Sequence, residues 1–160
     1  MPMFKRRSDR VAAVVLPVIL GASMFMAPEA SANHESSTDP SGYPLPHYYV
    51  EYEHCVRMRE SNSHWWSRNP TRKYLGAYQM NQPLANGATY WMVRSGDIAT
   101  YLSTDSLKEQ RAFARKLRAT SVHKWDPWLQ TSAFRRTLDG HHANRPWAGK
   151  FHWYGGRWTC

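Results

Sequence analysis

Cys55 and Cys160 stand 105 positions apart in a chain of 160 residues that has no other cysteine. Whether they pair depends on the compartment, and the amino terminus speaks to that. Lys5, Arg6, Arg7 and Arg10 precede a mostly apolar stretch from Val11 to Met26, and Ala30-Ser31-Ala32 offers a small-x-small cleavage site. That order reads as a secretory signal, residues 1–32, cleaved near Ala32, and predicts a secreted or wall-associated protein. The competing reading is a membrane anchor. About sixteen apolar residues, with Pro17 and Gly21 among them, fall short of the roughly twenty that a bilayer requires. An exported chain with two cysteines in its folded part is expected to form one disulfide, with free thiols or an intermolecular bridge as alternatives. The bridge would tie the last residue back to an early helix. Closing a loop of about a hundred residues stabilises by about 3–5 kcal/mol in chain entropy.

Removing the signal leaves 128 residues, enough for one domain with a core. Residues 33–46 are rich in Ser and Pro with no period and read as a flexible linker, so one domain is expected over 47–160. The signal holds four of the 21 basic and two of the 12 acidic side chains, which leaves 17 against 10, a net of +7. Such a surface is drawn to polyanions. Teichoic acids, peptidoglycan carboxylates, anionic lipid and nucleic acid all satisfy the charge alone.

His47 to Ser61 is predicted to be helical, with two adjoining stripes, no internal Gly or Pro, and Pro46 just ahead of it. Asn62 to Leu75 reads as a loop carrying Trp65, Trp66 and Tyr74. Asn86-Gly87 suggests either a small hairpin or a short helix from Ala88. Asp97 to Leu102 suggests a short helix. Ser106 and Glu109 have capping-box spacing ahead of a helix to about Ala119, with Leu107, Phe113, Ala114 and Leu117 on its apolar face and Lys108, Arg111, Arg115, Lys116 and Arg118 mostly on the other. Asp126-Pro127 marks a helix start, and Gly140 a stop. His141, His142 and His152 lack a Cys or carboxylate at metal-like spacing, so neither metal nor cofactor is expected.

Glu60 lies in the last turn of the first predicted helix and is followed at once by Ser61; about twenty positions on comes Gly76-Ala77-Tyr78-Gln79-Met80. Together with Cys55 and the Trp-rich end from Trp147 to Cys160, these motifs resemble the secreted lytic transglycosylases and resuscitation-promoting factors of the lysozyme-like superfamily. The resemblance covers Tyr49 to Met80 and, in part, the carboxy-terminal segment; from Asn81 to Lys150 it extends only to helical character. It departs where Arg57 and Arg59 flank the glutamate and where Asn62-Ser63-His64 replaces a glycine-rich step.

The resemblance implies an α+β, mainly α, lysozyme-like single domain with one disulfide. Glu60 is then the catalytic general acid on the MurNAc–GlcNAc bond of peptidoglycan. Ser61, Trp65, Trp66, Tyr74, Tyr78, Gln79 and Tyr90 are the candidate substrate contacts, because flat apolar rings suit sugar C–H faces and an amide suits hydroxyl and N-acetyl groups. The carbonyl end of a helix and an aromatic wall both favour a protonated carboxyl, whereas Arg57, three residues back, favours a charged one. Two-carboxylate hydrolysis needs a partner about 5–9.5 Å away. Asp97, Asp105, Asp126 and Asp139 are candidates with nothing in the sequence to mark them. A one-glutamate transglycosylase mechanism is therefore favoured over a lysozyme-type one. Expected partners are peptidoglycan strands and anionic wall polymers, without nucleic acid, for a monomeric protein. Two other classes remain open: a non-catalytic wall-binding module, and a secreted cationic protein acting on membranes or nucleic acid.

Overall fold

The computed structural model describes residues 41–140, 149–153 and 160. The proposed signal, the first part of the proposed linker, and His141 and His142 lie outside these. The described residues form five α-helices: α1 (His47–Ser61), α2 (Gln82–Arg94), α3 (Asp97–Leu102), α4 (Leu107–Arg118) and α5 (Pro127–Leu138). Short 3-10 turns occupy Val122–Lys124 and Lys150–Trp153. The chain is mainly α. The β component expected from the sequence reduces, among the described residues, to two isolated antiparallel bridges, Arg68 to Leu75 and Leu75 to Met80. Positive φ angles at Asn62, Ser63, Arg72, Gly76 and Gln79 turn this segment too often for a strand to extend.

Helix boundaries follow their caps. Asn81 Oδ1 accepts from the Leu84 amide at the start of α2, and Asp126 Oδ1 accepts from the Trp128 amide at the start of α5. Ser106 caps α4 through the Glu109 amide, but the Glu109 carboxylate reaches Thr104 Oγ1 at 2.7 Å instead of returning to Ser106. The Asn86-Gly87 pair starts no hairpin; it lies inside α2. Ala85, Ala88, Thr89 and Met92 are buried at helical spacing, and the Gln82 amide braces Asn86 from one turn back, so packing outweighs the local turn preference. On α4 the buried residues are Gln110, Ala114 and Leu117, whereas Leu107, expected on the apolar face, is exposed.

The centre of the molecule is α5. From Trp128 to Phe134 every residue is buried, polar ones included. Phe134 is stacked on Tyr78 with centroids 4.4 Å apart, and Trp153 meets its edge at 4.7 Å. The polar side chains in this core have partners, as burial requires. Ser132 donates to Asp97, which also takes two hydrogen bonds from Arg136 and one from Tyr43. Burial, and then the negative charge of Asp97, push the Tyr43 phenol up to about 12. Burial works against the Arg136 cation, but its hydrogen bonds to Asp97 hold its pKa above the ordinary arginine value.

Tyr43 also packs edgewise on Trp128, with centroids 4.6 Å apart. The ordered domain thus begins at least four residues before His47, because the tyrosine is both a core aromatic and a partner of Asp97. The disulfide joins Cys55 to Cys160, with Cα atoms 5.6 Å apart, and fixes α1 to the carboxy-terminal residue.

Candidate functional site

The end of α1 is built by backbone geometry. Asn62 and Ser63 both take left-handed φ angles, and their amides bond back to Met58 and Arg57. That closure stops the helix at Ser61 and swings the chain toward Trp65. Ser61 then ties the helix end to the next segment, its hydroxyl donating to the Ala77 carbonyl at 2.8 Å and to the Arg57 carbonyl at 3.2 Å.

Glu60 sits in this last turn with 27 % of its side chain exposed. One carboxylate oxygen, Oε1, accepts two hydrogen bonds from Arg59, at 2.9 Å from Nε and 2.6 Å from a terminal nitrogen. The same guanidinium donates to the Trp153 carbonyl, and the Trp153 indole donates to the Tyr78 carbonyl at 3.0 Å. Helix end, 76–80 turn and carboxy-terminal segment therefore meet around Glu60. Among the described residues none bonds its second oxygen, Oε2.

Arg57 pairs with Glu53 and makes no ion pair with Glu60. It is 3 % exposed, bonds Glu53 at 2.8 Å and lies 5.3 Å from the Trp65 ring centroid. The reason is rotational: Glu53, one turn back, is itself buried, and the two charges neutralise each other inside the core. Glu53 also accepts from Tyr78 Oη at 2.5 Å, and Tyr78 Oη lies 2.7 Å from Thr131 Oγ1.

That network removes Tyr78 from the set of sugar contacts. Its ring has no accessible surface, being stacked on Phe134 and closed at the hydroxyl by Glu53 and Thr131. Trp65 is likewise a core residue, packed edge-on to Tyr78. Of the tryptophan pair, Trp66 is the exposed member, at 69 %. Tyr74 is exposed in the same loop, with the Lys73 amino group 5.5 Å from its ring centroid. Gln79 is half-buried and spends its amide nitrogen on the Gly76 carbonyl at 2.8 Å, which leaves its amide oxygen for other work. Tyr90 is 59 % exposed, but it lines a cavity between α2 and α4 to which α1 contributes nothing.

Of the four aspartates considered as a second carboxylate, three are committed elsewhere. Asp97 pairs with Arg136; Asp126 caps α5; Asp139 accepts from the buried Tyr49 hydroxyl; Asp105 is exposed, in the link before α4. His152 is exposed on the carboxy-terminal segment.

Sequence reasoning passed over Gln130. It is fully buried, its oxygen accepts from the Ala77 amide at 3.0 Å, and its nitrogen donates to the Trp65 and Trp125 carbonyls at 3.0 and 2.9 Å. Gly76 is required beside it: a Cβ there would lie 2.3 Å from Gln130 Oε1, and φ is +76°. An amide within an aromatic helix was the signal to find. No family model, curated protein or solved structure matches the chain.

Proposed function

We propose that this protein is a secreted, lysozyme-like glycosidase that cleaves the MurNAc–GlcNAc bond of peptidoglycan, with Glu60 as its general acid. The observation that carries the reading is the setting of Glu60. It is a partly exposed carboxylate, held at the end of α1 against the 76–80 turn, with Oε2 clear of partners among the described residues, while Glu53, Asp97 and Asp139 are locked into the core.

In this mechanism Oε2 carries the proton. Glu60 gives it to the glycosidic oxygen as the bond to the muramoyl C1 breaks, and the leaving sugar departs as an alcohol. The muramoyl 6-hydroxyl then attacks C1, and the Glu60 carboxylate takes the hydroxyl proton. The acid is regenerated, a 1,6-anhydro ring forms and no water is consumed. No second carboxylate is needed, which agrees with the commitments of Asp97, Asp126 and Asp139. Trp66 and Tyr74 supply exposed rings for the glycan on the loop that follows Glu60, and the Gln79 oxygen supplies an acceptor.

One observation favours a second reading, a wall-binding module without catalysis: Arg59 occupies Oε1 and neutralises the glutamate. The experiment that separates the two incubates the purified protein and a Glu60→Gln variant with insoluble peptidoglycan and weighs the released fragments. The glycosidase reading expects muropeptides from the wild type and a loss of about 10²–10⁴-fold in the variant. Products lighter by one water identify anhydro ends, and reducing ends identify hydrolysis. Equal binding by both proteins with no release sinks the enzyme reading.

A further inference from the structure

The cavity that holds Tyr90 is open, about 550 Å³ in volume, and lined by facing stripes of α2 and α4. Arg94 comes from α2; Arg111, Arg115 and Arg118 come from α4, spaced four and three apart so that they share one side of the helix. Tyr90 and Leu107, both exposed, supply apolar surface between the cations. Among the described residues no carboxylate lines the cavity. Glu109, the acid in the first turn of α4, is held by Thr104. Arg118 bonds the Thr89 hydroxyl at 2.9 Å, and the Arg94 guanidinium lies 5.5 Å from the Trp91 ring centroid. Arg111 and Arg115 form no ion pair with any described carboxylate.

Like charges four apart on a helix repel one another, and four guanidiniums around one concavity raise its potential further. Arginines spread over a solvated face would avoid that cost. Gathered around a cavity with an apolar lining, they instead make a site that an anion completes. Guanidinium geometry matches phosphate and carboxylate oxygens alike in pairs, and a row of four guanidiniums suits an anion that repeats along a chain, as a phosphodiester does. The intervening Tyr90 and Leu107 suit the carbon skeleton between successive phosphates. We propose that the α2–α4 cavity binds a phosphodiester-linked polyol chain, an anionic wall polymer, at a site separate from Glu60 and independent of its role. It would hold the protein on the wall whichever bond the protein cuts.

The test titrates the full chain with a short glycerol-phosphate oligomer by calorimetry and compares two variants of equal charge loss. Arg111→Gln with Arg115→Gln removes two exposed cavity cations; Lys108→Gln with Lys116→Gln removes two from elsewhere on α4. The first pair should weaken binding about tenfold or more, since charge-assisted hydrogen bonds are lost, while thermal midpoints stay together. The second pair should change it less than about threefold, by screened long-range charge alone. Equal weakening by both pairs would show diffuse attraction and overturn the site, as would no binding of the oligomer. Capture by phosphatidylglycerol vesicles without oligomer binding would refute the proposal in favour of a lipid surface.

Discussion

Replacing Gln130 tests whether one buried amide positions the candidate site. Its three hydrogen bonds reach Ala77, Trp65 and Trp125, and all three partners are backbone groups of buried residues. Each bond stabilises by about 1 kcal/mol net, and each backbone group left buried without a partner adds desolvation cost on top. Gln130→Ala is therefore expected to lose about 3–5 kcal/mol, a large fraction of a stability of about 5–15 kcal/mol. Gln130→Glu keeps the shape and the acceptor for Ala77 but turns an oxygen toward two carbonyls. At neutral pH its loss should be similar.

The two variants separate on acidification. Burial and facing carbonyls raise the introduced carboxyl above its unfolded value of about 4.3. A raised folded pKa means stability that is present at low pH and lost as pH rises through that value, so the Gln130→Glu deficit shrinks as pH falls. The Gln130→Ala deficit stays flat. Urea unfolding followed by tryptophan fluorescence reads both. The reasoning is refuted if Gln130→Ala costs less than about 1 kcal/mol, or if the two variants respond alike to acid.

The raised Tyr43 phenol predicts alkaline sensitivity. Stability tied to that proton is complete below pH 10 and falls away between pH 10 and 12, by about 2–3 kcal/mol, so Tyr43→Phe should flatten that part of the unfolding profile. Cys55→Ser with Cys160→Ser opens the loop between residues 105 apart and should cost about 4–5 kcal/mol; a change in unfolding midpoint equivalent to under about 1 kcal/mol would contradict the loop-entropy account. Gly149→Ala places a Cβ 1.7 Å from the Thr137 carbonyl oxygen, and since backbone must shift to admit it, a loss of about 1–3 kcal/mol is expected in a thermal melt.

Elements with strong local chemistry were legible in the sequence. Ser106 before α4 and Asp126-Pro127 before α5 mark helix starts because capping depends on one or two residues, and Pro46 marks the start of α1 because proline is excluded from a helix interior. The disulfide followed from cysteine count and context. The interior of α5 was legible on one side, where Trp128, Leu129, Ser132, Ala133 and Leu138 keep a helical period, but not on the other, because periodicity assumes one wet face and α5 has almost none. Its Gln130 and Thr131 look solvated until the segments that satisfy them are in place. Tyr78 failed for the related reason that an aromatic beside a glycine turn can face either way, and Glu53 with Phe134 draws it inward. Tyr43 sat in a stretch whose composition suggested a linker, and its partners Asp97 and Trp128 lie far along the chain.

The setting of Glu60 depends on those distant partners more than on α1 itself. A fifteen-residue helix with no side-chain cap at Pro46 and no acid in its first turn is marginal alone. What holds it comes from three later parts of the chain: Cys160 and Trp153 from the carboxy-terminal segment, Ala77 and Tyr78 from the turn, and Asp139 from the end of α5. These ties enter along the whole helix, from Tyr49 to Ser61, so its last turn cannot drift without breaking one of them. Arg59 completes the arrangement by two means. It places a cation where the helix carbonyls point, and it bridges Glu60 to the Trp153 backbone. Because Arg59 bonds only Oε1, the general-acid role proposed for Oε2 leaves the arginine's contacts with Glu60 and Trp153 in place.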